Sequence, residues 1–355
     1  MKLFENINKR NSLLIFLAAI FLLVGCAGEE KVTLLENPIE RKEFMMGTYV
    51  IVQVYDEGKE EAIDLAFDRI KELEEKITVN EDGTELFQIN QNAGKSSVKV
   101  SDDLFELLEK SEEYSKSPDD GFDYTIGPIV DLWRIGYDDA RLPSQDEIDA
   151  ALSLVEHEHV QLNAEEKSVY LEKPGMSIDL GAIAKGYIAD EAMQVLIDEG
   201  VTVGMVDLGG NLVIRGDSPK REEGGWNVGV QDPFTTRGEI AGFLNLKDRS
   251  IVTSGIYERY LEVDGVQYHH LLNPETGYPF DNDIAGVTII SEKSIDGDAL
   301  STGVFSLGLE AGLDYVNGLE DIEAVFVTKD RNLYTSDGIT DTFNLSNAEF
   351  NWVNE

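Results

Sequence analysis

Helical periodicity dominates the first half of the chain, and strand patterns dominate the second half. An amphipathic helix is predicted where apolar residues recur at the spacing of one helix face, and these residues are Ile63, Phe67, Ile70, Leu73 and Ile77. Further helices are predicted over 101–116, from the capping box that opens at Ser144, over 183–199 and over 296–307. A β-branched and aromatic run over 48–55 predicts a strand ahead of them.

The second half carries short β-branched and aromatic runs that turn residues separate from one another. Strands are predicted over 205–208, 211–214, 226–230, 242–246, 259–263, 266–270 and 285–291. Asp264-Gly265 lies between two of these runs and is a strong hairpin signal. We therefore expect an α+β fold in which helices pack on mixed, largely antiparallel sheets, and not a doubly wound parallel sheet.

The N-terminus has the pattern of an export signal. A basic start precedes the apolar run 13–23, which is short for a transmembrane span. The run ends in Leu23-Val24-Gly25-Cys26, which resembles the lipobox of bacterial lipoproteins. The resemblance implies cleavage before Cys26, a lipid on its sulfur, and an anchor in the bacterial cell membrane that faces outside the cytoplasm. An ordinary signal peptide or membrane anchor with an incidental cysteine is the alternative.

These features divide the chain into four expected segments. Residues 1–25 form the signal peptide, 26–42 a lipidated polar tether, 43–340 the functional domain and 341–355 a C-terminal tail. We expect one folded domain because no internal repeat and no long low-complexity linker interrupts the mature chain.

The charge balance restricts the partners that the protein can have. The chain has 69 acidic and 29 basic residues and a formal net charge of −40. An anionic surface repels phosphate backbones, so nucleic acid is not an expected partner. An anionic ligand would need a local device such as free backbone N–H groups, a lysine or a metal ion.

Two segments could supply such a device. Between Asp179 and Lys185 a predicted strand turns into a helix, whose free N–H groups and lysine suit an anion. Asp298 and Thr302 share one face of a predicted helix, with Ser301 beside them, and hard oxygen ligands of this kind suit Mg²⁺. Each segment also has a plain structural interpretation, as an ordinary turn or as a capped helix.

Two further segments could contact a ligand. His270 ends a predicted strand and could act as a base or as a positioning group. Because neighbouring residues of a strand point to opposite faces, at most one of His269 and His270 faces a given site. The loop Gly121-Phe122-Asp123 could line a planar ligand, or it could be only a loop.

Taken together, ordered motifs over about residues 43–335 resemble the ApbE family of FAD:protein FMN transferases. The motifs are Met46-Gly47-Thr48, Gly121-Phe122-Asp123 with Gly127-Pro128 and Asp131-Leu132-Trp133, Asp179-Leu180-Gly181-Ala182-Ile183-Ala184-Lys185-Gly186-Tyr187, Asp207-Leu208-Gly209-Gly210-Asn211, Val252-Thr253-Ser254-Gly255, His270-Leu271-Leu272-Asn273-Pro274-Glu275-Thr276-Gly277, and Asp298 with Ser301-Thr302-Gly303.

The resemblance implies a role for particular residues. FAD contacts are implied for Met46, Gly121, Phe122, Asp123, Asp179, Lys185 and Leu272. A Mg²⁺ site is implied for the backbone oxygen of Ala182 and the side chains of Asp298 and Thr302, with Ser301 near them. Asp298 and His270 are the expected catalytic residues. Many relatives carry an aromatic residue at the position of Asn80, and some carry Asp at that of Ser301. This chain departs from the family at these two positions, which bear on FAD affinity and on the set of metal ligands.

The resemblance also implies the reaction. FMN would pass from FAD to a Thr or Ser hydroxyl of an exported or membrane flavoprotein with a Ser/Thr-Gly-Ala-Ser/Thr-like motif, and AMP would leave. The alternatives are an FAD pyrophosphatase that yields FMN and AMP, and a passive FAD-binding lipoprotein. AMP release separates the enzymes from the binder, and flavin on an acceptor separates transfer from hydrolysis.

Overall fold

The structure is a computed structural model that describes residues 33–79, 82–117, 121–236 and 238–353. The chain divides into two units, Met1–Leu34 and Leu35–Glu355, and the description that follows concerns the second. The predicted signal peptide, the lipidation site Cys26 and Asn80 lie outside the described residues. Within the described ranges, no helix has the length and apolar character needed to cross a membrane.

Eight α-helices lie in the described part of the chain. They are α1 (Glu60–Ile77), α2 (Glu85–Gln91), α3 (Asp102–Ser115), α4 (Gly127–Trp133), α5 (Gln145–Leu152), α6 (Ala184–Asp198), α7 (Ser294–Leu307) and α8 (Leu309–Asn317). Short 3₁₀ turns occur at His157–His159 and Asp337–Ile339.

The same residues contain seventeen strands. They are β1 (Leu34–Met45), β2 (Thr48–Asp56), β3 (Val98–Lys99), β4 (Val160–Asn163), β5 (Ser168–Leu171), β6 (Gly204–Leu208), β7 (Asn211–Arg215), β8 (Trp226–Gln231), β9 (Ile240–Leu246), β10 (Arg249–Gly255), β11 (Tyr260–Val263), β12 (Val266–His269), β13 (Ile284–Ser291), β14 (Glu323–Thr328), β15 (Asn332–Thr335), β16 (Asn344–Leu345) and β17 (Asn351–Trp352).

One large sheet organises these strands. Its order is β1-β2-β6-β7-β10-β13-β14-β15-β17, and the pairs from β2 to β15 are antiparallel, whereas β15 and β17 run parallel. Two three-stranded sheets, β16-β9-β8 and β3-β5-β4, and the hairpin β11-β12 complete the set. The expected α+β class with largely antiparallel sheets is confirmed.

Apolar side chains on both faces of the large sheet create a three-layer arrangement. On one face, Val50, Val52 and Val54 of β2 are fully buried in a core that includes the apolar sides of α1 and α6. On the other face, Tyr55 and Ile214 pack in a second core with residues of the small sheet β16-β9-β8. The large sheet therefore lies between a helical layer and a smaller sheet.

Local sequence signals account for several of these elements. The apolar positions expected on one face of α1 are all buried. Ser101 caps α3 by accepting a hydrogen bond from the Leu104 N–H, and Ser144 forms the expected capping box at α5. Asp264 and Gly265 have φ values of 53° and 80°, as a two-residue hairpin turn requires. The predicted strands and helices of the second half are also present.

Other parts differ from the expectation. β1 begins at Leu34, so residues 34–42 of the expected tether belong to the large sheet; as an edge strand it is mostly polar and only half-buried, and its composition resembles that of a linker. The expected tail 341–355 contains β16 and β17, which Phe343 and Phe350 anchor through their buried rings. No helix is predicted over 127–133, but these residues form α4, which tolerates Pro128 well in its first turn.

The contact between α6 and α7 has no room for a side chain at Gly186. A Cβ atom there would lie 2.3 Å from the Ser294 carbonyl oxygen. Beside this contact, the Asp190 carboxylate accepts hydrogen bonds from the Ser294 and Ile295 N–H groups, at 2.8 and 2.9 Å. The first turn of α7 is therefore fixed against α6.

We predict that Gly186→Ala destabilises the protein by about 1–3 kcal/mol, because the added methyl would push the backbone of α7 away from α6. Chemical denaturation followed by circular dichroism measures this loss. Gln194→Ala, at an exposed position of the same helix, is the matched control and should change stability little. An unchanged unfolding midpoint for Gly186→Ala would contradict the tight packing described here.

Candidate active site

A buried carboxylate lies where α6 and α7 meet. Asp298 is 4% exposed, and its Oδ2 accepts a 2.8 Å hydrogen bond from the Gly186 N–H in the first turn of α6. Its Oδ1 lies 3.8 Å from the ammonium of Lys185. The start of α6 favours negative charge through the helix dipole, and its Gly186 N–H already donates to this carboxylate. The structure thus joins the Asp179–Tyr187 motif to the Asp298 motif.

Lys185 is held from a second side by β7. Its Nζ donates a 2.8 Å hydrogen bond to Oδ1 of Asn211, the first residue of that strand. Asn211 is 1% exposed, and its Nδ2 has no hydrogen-bond partner in the protein. The Asp207–Asn211 motif therefore reaches the same site as Lys185 and Asp298.

Met46 lies in a tight turn that packs against this motif. Met46 and Gly47 both have positive φ values, 50° and 69°, and the Met46 N–H donates to the Glu74 carboxylate at 2.8 Å. A Cβ atom on Gly209 would come within 2.2 Å of Thr48 Oγ1, so the β1–β2 turn and the β6–β7 turn touch. Met46 therefore lies two residues before Thr48, which contacts Gly209 in the β6–β7 turn. Asn211 follows directly after this turn.

The Gly121–Asp123 loop is tied to the other end of α7. Gly121 donates its N–H to Ser306 Oγ at 2.7 Å and has no room for a side chain beside Phe280. The Phe122 ring is buried and packs edge-on against Tyr114, so the ring belongs to the core. Asp123 is turned toward its own loop.

The Asp123 carboxylate accepts two hydrogen bonds from Thr125, one from its N–H and one from its hydroxyl. One residue earlier, the Tyr124 carbonyl accepts the Asp179 N–H at 2.9 Å. The loop therefore lies directly beside the turn that carries Asp179. The strand predicted at Asp179 is not formed, and only an isolated bridge between Ile126 and Ser177 precedes this turn.

Asp179 has electrostatic neighbours of both signs. Its Oδ1 accepts the Gly181 N–H at 2.8 Å. Burial raises the pKa of Asp179, whereas this hydrogen bond and the positive charge of Arg259 oppose the rise. The pKa of Asp131 is also raised, by desolvation and by the neighbouring Asp179. An anion bound here would meet repulsion from Asp179 and Asp131, and attraction from Arg259.

The two adjacent histidines have different environments, as alternation along a strand requires. His269 is buried, packs edge-on against Phe305, and its Nε2 lies 2.9 Å from the Phe280 carbonyl oxygen. His270 places Nδ1 at 3.3 Å from the carbonyl oxygen of Arg259. Because a carbonyl oxygen only accepts, Nδ1 carries the proton in this contact, which leaves His270 Nε2 as an acceptor.

Burial lowers the pKa of both imidazoles. The pKa of His269 falls to about 4. The pKa of His270 falls to about 3, first through burial and then through the positive charges of Arg259 and Lys185. His270 is therefore the histidine that shares an electrostatic environment with Lys185, and it is neutral at pH 7.

Leu272 lies two residues after His270 along the chain. It is buried in a core with Trp133, and it pairs with Pro279 across the Asn273–Gly277 turn. Trp133 Nε1 donates to the Gly277 carbonyl at 2.8 Å, which ties this turn to α4. The structure thus gives Leu272 a structural environment between the His270 strand and α4.

The expected metal ligands differ in how they are presented. Asp298 and Thr302 lie on one face of α7, and Ala182 lies in the half-exposed turn before α6. Ser301 is fully buried, donates to the Asp298 carbonyl at 2.8 Å and lies 2.7 Å from Ser254 Oγ. These two contacts use its proton and one of its acceptor sites, so the buried hydroxyl has one lone pair left for a metal.

The donor set fits a hard cation more than a soft one. Among the described residues, no three His, Cys, Asp or Glu side chains gather as a metal cluster. A cation here would rely on one carboxylate, from Asp298, with hydroxyl and carbonyl oxygens, which are the ligands that Mg²⁺ and Mn²⁺ accept. The Asp298 Oδ1 atom, 3.8 Å from Lys185, is the carboxylate oxygen that does not contact Gly186.

No pattern in the sequence indicates a role for three residues of this environment. Asn211 belongs to a quoted motif, but only the pairing of β7 with β10 and β6 shows that it meets Lys185. Arg259 is separated from Asp179 along the chain and has no local signal. Glu74 holds the Met46 turn from the last turn of α1, and nothing in the helix pattern distinguishes it from its acidic neighbours.

Comparison with known proteins places the chain in a family. The model of the ApbE family matches residues 46–326, and the chain belongs to this family. A FAD:protein FMN transferase of Klebsiella pneumoniae (strain 342) is 39% identical over 292 residues, which cover 82% of this chain and 90% of that protein. One from Treponema pallidum (strain Nichols) is 34% identical over 352 residues, which cover 94% and 96%.

Solved structures agree with this assignment. The crystal structure of the ApbE protein from Thermotoga maritima MSB8 matches with a TM-score of 0.78 at 30% identity, over 86% of this chain and 99% of that chain. The flavin transferase ApbE from Vibrio cholerae matches with a TM-score of 0.74 at 22% identity, over the same shares, and shows the fold. The expected ApbE-like fold is confirmed.

The lowered pKa of His269 leads to a prediction about the stability of the protein in acid. A histidine whose pKa is lowered by folding contributes stability above its unfolded pKa of 6.5 and loses that contribution as the pH falls toward the folded value. We expect His269 to cost on the order of 3 kcal/mol of unfolding free energy between pH 7 and pH 4.

The measurement is urea denaturation across this pH range for the wild type and for His269→Gln, whose amide can still donate to the Phe280 carbonyl. The variant should lose less stability on acidification than the wild type. Asn227→Ala, at an exposed position of β8 whose side chain does not titrate, is the control and should keep the wild-type slope. Equal slopes for the wild type and His269→Gln would show that His269 is not held neutral by burial.

Proposed function

We propose that the protein transfers FMN from FAD to a Thr or Ser hydroxyl of another protein. The observation that carries the proposal is the meeting of Lys185, Asp298 and the start of α6, where an ammonium and the positive end of the helix dipole can receive the pyrophosphate of FAD. The family membership and the printed names of the relatives support the same activity.

The transfer balances as a phosphoryl substitution. The acceptor hydroxyl oxygen bonds to the phosphorus on the riboflavin side of the pyrophosphate, the bond from that phosphorus to the bridging oxygen breaks, and AMP leaves with that oxygen. The hydroxyl proton passes to a base. Catalysis of this type depends mostly on positioning and on electrostatic stabilisation. Lys185 and Arg259 supply the positive charge that an acidic chain otherwise lacks.

His270 and Asp298 are the groups that could receive or orient the hydroxyl proton. His270 presents Nε2 as an acceptor, but its pKa of about 3 makes it a weak base near neutral pH. This favours an orienting role for His270, in which Nε2 accepts a hydrogen bond from the acceptor hydroxyl. Asp298 remains the second candidate, and its carboxylate is also the centre of the proposed metal site.

We propose that a divalent cation, Mg²⁺ in the cell, is held by Asp298, Thr302 and the Ala182 carbonyl, with Ser301 near them. When bound, such an ion neutralises phosphate charge and acts as a Lewis acid. The protein's own part is to fix these oxygens, since Asp298 is locked to α6 through Gly186 and Thr302 follows on the same face of α7.

The N-terminal sequence suggests where the protein works. We propose a lipid anchor at Cys26 that holds the enzyme at the outer side of the bacterial cell membrane, because the pattern before Cys26 is that of a lipoprotein signal. The acceptor would then be an exported or membrane flavoprotein with a Ser/Thr-Gly-Ala-Ser/Thr-like segment.

Intact-mass spectrometry of a candidate acceptor domain tests the proposal. The protein, FAD and Mg²⁺ should add one FMN phosphoester to the acceptor and release one AMP, and EDTA should abolish both. Release of AMP with no FMN on an acceptor that carries this segment would favour hydrolysis. Neither product, with FAD still bound, would favour a passive flavin binder and would contradict the proposal.

We predict that Asp298→Ala and Asp298→Asn each lower the transfer rate by about 100-fold or more, because both remove the charge on which the cation site depends. The Asn variant keeps an oxygen for the Gly186 N–H, so it separates charge from packing. Asp217→Ala, which removes an exposed partner of Lys247, is the control and should transfer at the wild-type rate. Wild-type transfer by Asp298→Asn would overturn the metal assignment.

A further inference from the structure

The ammonium of Lys185 lies beyond hydrogen-bond distance of the nearby Asp298 carboxylate. Its Nζ lies 2.8 Å from Asn211 Oδ1 and 3.8 Å from Asp298 Oδ1. A direct ammonium–carboxylate hydrogen bond would be about 1 Å shorter than the second distance. Lys185 therefore makes its short contact to a neutral amide, although a buried carboxylate lies beside it.

Asn211 is well fixed for this role. It begins β7, where its backbone is paired with Leu208 on one side and Val252 on the other, and its side chain is buried. Since an ammonium only donates, the Asn211 amide must turn its oxygen to Lys185. The Nδ2 group then points elsewhere, and it is buried with no partner in the protein.

We propose that Asn211 is a positioning residue that holds Lys185 beside Asp298 and so keeps the Asp298 carboxylate open to a divalent cation. The inference rests on the proposed function, because it concerns the same cation site. The unpartnered Nδ2 group supports it, since a buried donor without a partner is a natural contact for an oxygen of the bound dinucleotide.

The competition between Lys185 and a cation can be estimated. Without Asn211, the flexible lysine can close the gap to Asp298 Oδ1 and form a direct ion pair. At the effective dielectric constant of partly buried sites, closing this gap strengthens the ion pair enough to weaken cation binding on the order of tenfold. The loss should depend entirely on the presence of the lysine.

Binding of Mn²⁺ to the full chain, followed by electron paramagnetic resonance without FAD, tests the inference. Mn²⁺ is the probe because it accepts the same oxygen ligands as Mg²⁺. The four proteins are the wild type, Asn211→Ala, Lys185→Met and the double variant. We expect Asn211→Ala to weaken Mn²⁺ binding on the order of tenfold. In the Lys185→Met background, the same substitution should change nothing.

Two outcomes would overturn the inference alone. Equal weakening in both backgrounds would mean that Asn211 only supports the local structure, and no weakening in either would mean that it does not restrain Lys185. Failure of the wild type to bind Mn²⁺ would overturn the cation site itself, and with it this part of the proposed function. These results are distinguishable because the first two require a wild type that binds.

Asn211→Asp and Asn227→Ala complete the design. Asn211→Asp keeps an oxygen for Lys185, so it should retain Mn²⁺ binding at least as tight as that of the wild type, even if Asn211→Ala folds poorly. It also loses the Nδ2 donor, so quenching of FAD fluorescence should show weaker FAD binding. Asn227→Ala, on the exposed side of β8, should leave both measurements unchanged. Loss of Mn²⁺ binding in Asn211→Asp would contradict the proposal.

Discussion

Close contact between α6 and α7 at Gly186 sets the position of the site's charged groups. Gly186 gives its N–H to Asp298, and its lack of a side chain lets the Ser294 carbonyl approach. Asp190 then holds the first turn of α7 from one helical turn further along α6. Because Asp298 and Thr302 follow on one face of α7, their oxygens are placed relative to Lys185 by backbone packing, and not by flexible side chains.

The large sheet brings the remaining groups to the same place. The β6–β7 turn carries Asn211 to Lys185, and the β1–β2 turn packs on it through Thr48. β10 carries Ser254 to the buried hydroxyl of Ser301. In a chain with a net charge of −40, Lys185 and the positive end of the α6 dipole make a local exception to the anionic surface.

Local patterns in the sequence predict the elements, and the pairing of distant elements decides the site. Caps at Ser101 and Ser144 and the Asp264-Gly265 turn can be predicted because each signal lies within a few residues. Whether His269 or His270 faces Lys185 cannot be predicted, since alternation only states that they differ. The approach of Asn211 to Lys185 depends on β7 pairing with its neighbours, which no local pattern contains. β1 could not be predicted, because an exposed edge strand has the polar composition of a linker.

The most direct test is the anomalous scattering of Mn²⁺ in crystals of the protein with FAD. The account predicts one strong anomalous peak about 2.1 Å from an Asp298 carboxylate oxygen, near Thr302 and Ala182, with the FAD pyrophosphate between it and Lys185. A peak bound to other residues, or a pyrophosphate remote from Lys185 and the start of α6, would contradict the account.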